Sequence, residues 1–125
     1  MRRFIGFVVL AVLAVGCDTG PDGPGDLSGS VRSSGLPLGG AVFEVIGGGI
    51  QGFSGAGGTK VFWARQEDPV VFRVVVVGGG SGDLTFSVSV QDRGGRFPRA
   101  TLVSLVDVNN VPLPVTGEYD VTFAR

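Results

Sequence analysis

Leu84-Thr85-Phe86-Ser87-Val88-Ser89-Val90-Gln91 alternates apolar and polar side chains without a break. A period of two is the signature of a β-strand with one buried face and one wet face, because successive side chains leave a strand on opposite sides. Glu118-Tyr119-Asp120-Val121-Thr122-Phe123 repeats the pattern near the C-terminus. Between the two lies no stretch with apolar residues three and four apart over ten positions, so no amphipathic helix is expected.

Working outward, Val70-Val71-Phe72-Arg73-Val74-Val75-Val76-Val77 is apolar at every position except Arg73. Such a run fits a central sandwich strand, with Arg73 the single charge that interrupts an aggregation-prone sequence. Further strands are expected near Leu27–Ser33, Ala41–Ile46, Lys60–Arg65 and Ala100–Val108. Glycine clusters separate them at Gly39-Gly40, Gly47-Gly48-Gly49, Gly55 to Gly58, Gly78 to Gly82 and Gly94-Gly95. Glycine supplies the positive φ that tight turns between strands require. Seven or eight short strands at this spacing predict an all-β chain folded as a single β-sandwich.

Composition narrows the function. The chain has 125 residues, room for one domain, with 23 glycines, one cysteine and no histidine. The lack of histidine removes the commonest general base and the commonest metal ligand together. One cysteine cannot form an internal disulfide. Ten basic residues face eleven acidic ones, and Arg2 and Arg3 belong to the extreme N-terminus, so the body carries a net charge of about −3. Nucleic acid requires a basic stripe, and a role on DNA or RNA is not expected.

The N-terminus reads as an export signal. Met1-Arg2-Arg3 is a short positive stretch, followed by the apolar run Phe4 to Val15. As a helix that run would span about 18 Å at ~1.5 Å per residue, short of the roughly 30 Å hydrocarbon core. A signal h-region is expected rather than a permanent span. Ala14, Val15 and Gly16 stand immediately before Cys17. This stretch resembles the lipobox of bacterial lipoproteins, which favours Leu where this chain has Ala14. The resemblance implies cleavage between Gly16 and Cys17, diacylglyceryl modification of the Cys17 thiol and frequent acylation of the new amino terminus. Two acyl chains give stable anchoring at about 0.8 kcal/mol per buried methylene. The expected localisation is therefore the cell envelope, outside the cytoplasm, with a lipid anchor in a membrane. Asp18 resembles the inner-membrane retention signal of enterobacterial lipoproteins. Residues 1–16 are thus expected to be signal, 17–26 a lipidated cysteine with a flexible Gly/Pro/Asp linker, and 27–125 the sandwich.

Chemical motifs in the body are sparse. Gly47, Gly49 and Gly52 match the G-x-G-x-x-G spacing, but that motif needs a strand entering a helix, and another strand follows here. Gly57-Gly58-Thr59-Lys60 has neither the glycine spacing nor the helix of a P-loop. Glu67-Asp68 and the pair Glu118 and Asp120 are read as solvated charges rather than a catalytic dyad. Asp107 and Asn109 are weak candidates for a loop calcium site, though Asn is equally a turn residue. No cofactor is implied. Phe62-Trp63 places two large rings on opposite faces of one strand, and an exposed Trp63 would suit a sugar or a protein partner.

Ala41-Val42-Phe43-Glu44-Val45 and the strand pair 72–77 and 84–88 faintly resemble cohesin-like and other Ig-like extracellular sandwich modules, which implies architecture only. The resulting expectation is a non-catalytic binding or structural domain tethered to a membrane, with a protein or glycan partner. The alternative is a carbohydrate-binding module with structural calcium.

Overall fold

The computed structural model describes residues 23–33, 35–79 and 83–125. The expected signal, Gly16, Cys17 and Asp18 lie outside them. Nine strands form two antiparallel sheets packed face to face. They are β1 (Gly25–Arg32), β2 (Leu38–Ile46), β3 (Ile50–Ala56), β4 (Lys60–Arg65), β5 (Val71–Val77), β6 (Leu84–Val90), β7 (Arg99–Asp107), β8 (Pro112–Leu113) and β9 (Asp120–Ala124). The four-stranded sheet has the order β3-β6-β1-β9, and the five-stranded sheet the order β4-β5-β2-β7-β8. The all-β sandwich read from the sequence is the observed fold. β1 begins at Gly25, so Gly25 and Asp26 of the expected linker pair with Val90 and Ser89.

The core follows the alternation. Leu84, Phe86, Val88 and Val90 of β6 face Phe43 and Val45 of β2 and Phe72, Val74 and Val76 of β5, all buried. At roughly 25 cal/mol per Å² of apolar area removed from water, these side chains are the main stabilising element of a chain without disulfides. Phe86 lies against Phe43 with ring centroids 5.2 Å apart and edge-on to Phe123 at 6.0 Å. Its ring covers Gly29, where a Cβ would clash with it.

One strand escaped the sequence reading. β3 occupies Ile50-Gln51-Gly52-Phe53-Ser54-Gly55-Ala56, a segment whose glycines suggested a loop. Its period of two is broken by a register shift between Ile50 and Gly52 in the pairing with β6. That bulge lets both Ile50 and Phe53 face the core although they are three apart. The glycines make room instead of turns: a Cβ at Gly52 would stand 3.1 Å from the Trp63 indole, and one at Gly55 would meet the Thr59 carbonyl. From β3 the chain changes sheets through Gly57 and Gly58, at φ 65° and 87°. Two positive φ values in succession explain why glycine stands at both positions.

β5 is an interior strand, paired with β2 on one side and with the edge strand β4 on the other. Only alternate residues of its apolar run enter the core. Val71, Arg73, Val75 and Val77 point outward.

Residue pairing defines the two ends of the sandwich. At one end lie the chain entry at Gly23, the β2–β3 connection 47–49, the β4–β5 connection 66–70, the β6–β7 loop 91–98 and the C-terminus. Their hydrogen bonds join them: Gly47 N to Val70 O at 2.9 Å, Arg93 N to Gly23 O at 2.9 Å, and Arg125 Nε to Arg93 O at 2.7 Å. At the other end lie the connections after β1, β3, β5 and β7, and the start of β9.

Candidate interaction surface

The outer faces of the two sheets differ in chemistry. On the four-stranded sheet the middle of the outer face is hydroxyl-bearing, with Ser28 and Ser30 of β1, Thr85, Ser87 and Ser89 of β6, and Thr122 of β9, and Asp26, Arg32 and Asp120 stand towards its ends. Ser30 and Thr122 hydroxyls are 3.1 Å apart across the β1–β9 pair.

The five-stranded sheet presents a different surface. Register alignment places Phe62 beside Val75, Val75 beside Val42, and Val42 beside Ser104. In the next row Val77 stands beside Gly40, and Gly40 beside Val106. The middle of this face is thus apolar over two rows, with Lys60 at the β4 edge of the second. Gly40 has no side chain between Val77 and Val106, which leaves an open hollow of ≈180 Å³ floored by Gly40. A register shift adds Val103 to β7, and that residue is exposed as well. Charge borders the surface at Lys60, beside Val77, and at Arg99, beside Ile46, and one charged pair interrupts it, Arg73 Nη2 to Glu44 Oε1 at 3.5 Å. Both partners are well exposed, so the pair contributes little stability.

The two rings singled out in the sequence separate as strand geometry requires. Trp63 takes the inner side at the open edge of the sandwich, edge-on to Phe53 at 5.7 Å and 6.0 Å from Phe72. Its indole covers Gly52 and stays 40% exposed. Phe62 takes the outer face and is 61% exposed. The ring aimed at solvent is therefore Phe62, and Trp63 closes the gap between sheets. The signal for this was present in the alternation of β4, but β4 is polar at both ends, so its inward parity could not be read alone.

Asp107 and Asn109 occupy the β7–β8 turn. Asp107 Oδ1 accepts the N–H groups of Asn109 at 2.8 Å and Val111 at 2.9 Å, and Asn110 sits at φ 64°. The carboxylate closes its own turn, the ordinary role of an Asx residue. Among the described residues no group of three Asp, Glu, His or Cys side chains is placed to hold a metal ion. Replacing Asp107 with Ala is expected to cost about 1–2 kcal/mol through the two lost N–H acceptors, and Asp107→Asn about half of that. Urea unfolding measures both, and a midpoint that rises on adding calcium would contradict this assignment.

The remaining motif residues are dispersed. Gly47 and Gly49 belong to the β2–β3 connection and Gly52 to β3, with no helix following. Glu118 and Asp120 are exposed at the start of β9, and Glu67 and Asp68 at the β4–β5 turn, where Asp68 Oδ1 accepts Val70 N–H at 3.2 Å. The comparisons with family models, with curated proteins and with solved structures gave no match.

Proposed function

We propose that the chain is an extracytoplasmic lipoprotein, anchored through Cys17, whose sandwich binds a partner without catalysing a reaction on it. The observation that carries the binding reading is the apolar outer face of the five-stranded sheet. β5 is valine-rich on both sides although only one side meets the core, and β2, β4 and β7 continue the surface with Val42, Phe62 and Val106. A strand with one wet face ordinarily alternates, as β6 does. Contiguous apolar surface of this kind marks interaction sites in soluble domains. The anchor is supported by the order of features in the first seventeen residues: positive start, short apolar run, small residues, then the only cysteine.

The test uses the full chain expressed in bacteria with a photoreactive residue at position 62 or, as control, at position 87 on the hydroxyl face. Membrane fractions are illuminated and analysed by mass spectrometry. The expected chain has lost residues 1–16 and gained a diacylglyceryl mass on Cys17, and adducts arise from position 62 but not from 87. An unmodified full-length chain refutes the anchor. Equal or absent adducts from the two positions refute the binding face, and an adduct of sugar rather than peptide composition assigns the partner to the glycans.

A further inference from the structure

The end of the sandwich at which the chain enters carries a second surface. An open depression of ≈650 Å³ lies between the β2–β3 connection and the β6–β7 loop, lined by Ile46, Gly48, Gln91, Arg96, Phe97 and Arg99 among others. Arg96 and Arg99 are exposed and have no ion-pair partner among the described residues. Phe97 and Ile46 are exposed large apolar side chains on the same rim. Arg125 braces the loop from behind: Nε donates to Arg93 O at 2.7 Å and Nη2 to Gly95 O at 3.0 Å, with its guanidinium 4.4 Å over the Phe97 ring. The loop is therefore held in place with two free guanidiniums and an aromatic edge facing outward.

Chain length fixes what this end faces. Only six peptide units separate Cys17 from Gly23, at most about 22 Å when fully extended. Gly23 is bonded directly into the Arg93 loop, its N–H on Asp92 Oδ1 at 3.3 Å. A lipid on Cys17 would place the bilayer within that reach of Gly23, on the side of this end of the sandwich. The acidic groups at this end are Asp26, Glu67, Asp68, Asp92 and the terminal carboxylate. Asp92 is engaged by Gly23 and Gly94 N–H groups and Asp68 by Val70. At the far end Asp83, Asp107, Glu118 and Asp120 outnumber Arg32 and Lys60. Arg65, Arg93, Arg96, Arg99 and Arg125 balance the acidic groups of the near end, so an anionic surface repels the far end and leaves the near one, with its two unpaired arginines, free to approach.

We propose that the Arg96–Phe97–Arg99 rim is a docking surface for anionic phospholipid headgroups, which holds the sandwich upright on the membrane that anchors it. The proposal rests on the Cys17 anchor. Arginine suits phosphate because its planar fork offers two parallel N–H donors, and the apolar Phe97 ring suits the boundary between headgroups and acyl chains. Docking at this end leaves the apolar face of the five-stranded sheet standing perpendicular to the membrane and open to a partner.

The test reconstitutes the full processed chain into vesicles of phosphatidylcholine alone or with phosphatidylglycerol, and follows amide hydrogen exchange. Exchange in residues 91–98 is expected to slow roughly tenfold on the anionic vesicles only. The protection disappears in Arg96→Gln/Arg99→Gln and at raised salt, and persists in Arg32→Gln at the far end. Both arginines are exposed and unpaired, so the variant keeps the wild-type unfolding midpoint. A lipidated chain that floats with both vesicle types but shows the same exchange on each overturns the docking and leaves the anchor intact. A chain with no lipid mass overturns both. Protection by inorganic phosphate without vesicles overturns the assignment to lipid.

Discussion

Phe86→Ala lowers the free energy of unfolding by about 3–5 kcal/mol, among the largest single-residue effects expected in this chain. Phe86 is 1% exposed and touches both sheets: Phe43 across the core, Phe123 on the flank and Gly29 beneath. Domains of this size retain only about 5–15 kcal/mol in total, so the variant sits near the edge of folding at body temperature. The geometry gives a sharper test than the loss itself. Gly29 is paired with Phe86 on one side and Phe123 on the other, and the Phe86 ring fills the place of its absent side chain. Gly29→Val alone therefore overpacks the site, at about 1–3 kcal/mol. In the Phe86→Ala background the same valine enters vacated space. The double variant is expected to be more stable than the sum of the single losses by about 1–2 kcal/mol. Strict additivity in urea unfolding would mean that the ring is not what keeps position 29 a glycine.

That glycine illustrates how the sequence specifies the fold and where reading it stops. β6 and β9 were legible because one face of each is buried and the other wet, so hydropathy follows the pleat. β5 was legible as an interior strand but the exposure of its outer face was not, since a run apolar on both sides is equally compatible with burial on both. Its outer valines face solvent next to Phe62, which turns a supposed core signal into a surface signal. β3 was illegible for two local reasons. A bulge moved Phe53 out of phase with Ile50, and Gly52 and Gly55 serve close approaches to Trp63 and Thr59 that only the assembled sandwich creates. The apolar face could not be seen in any one strand. It arises from the register of β4, β5, β2 and β7, four segments drawn from residues 38 to 107. The Arg96–Arg99 rim has the same character, since nothing local in Arg96-Phe97-Pro98-Arg99 tells that Arg125 meets it at Phe97.

Thr59→Val is expected to cost about 2–3 kcal/mol, although the two side chains have nearly the same shape. Thr59 is the one buried polar residue among the described residues, 9% exposed. Its hydroxyl accepts Ala56 N–H at 3.0 Å and aims its single proton at the carbonyl oxygens of Ala56 and Thr85. Thr85 Oγ1 donates to the same Ala56 carbonyl at 2.7 Å. Ala56 and Thr85 belong to the four-stranded sheet, and Lys60, the next residue after Thr59, begins the edge strand of the other. One hydroxyl thus clasps the two sheets where the chain crosses between them on positive-φ glycines. Valine strips the Ala56 N–H of its acceptor and the Thr85 carbonyl of a donor, inside protein where water does not replace them. Thr59→Ser keeps every one of these bonds and loses only a methyl group, so it is expected to cost about 1 kcal/mol or less. The contrast between the two variants in urea unfolding separates the hydroxyl from the packing. Equal losses would assign the site to the methyl group instead. The clasp also sets the position of β4, which carries Trp63 inward and Phe62 outward. Loosening it should shift Trp63 emission to the red while the protein is still folded, because the indole is already partly exposed at the open edge. It should also blunt photo-crosslinking from position 62 before any global loss of structure, since the apolar face depends on β4 holding its register with β5.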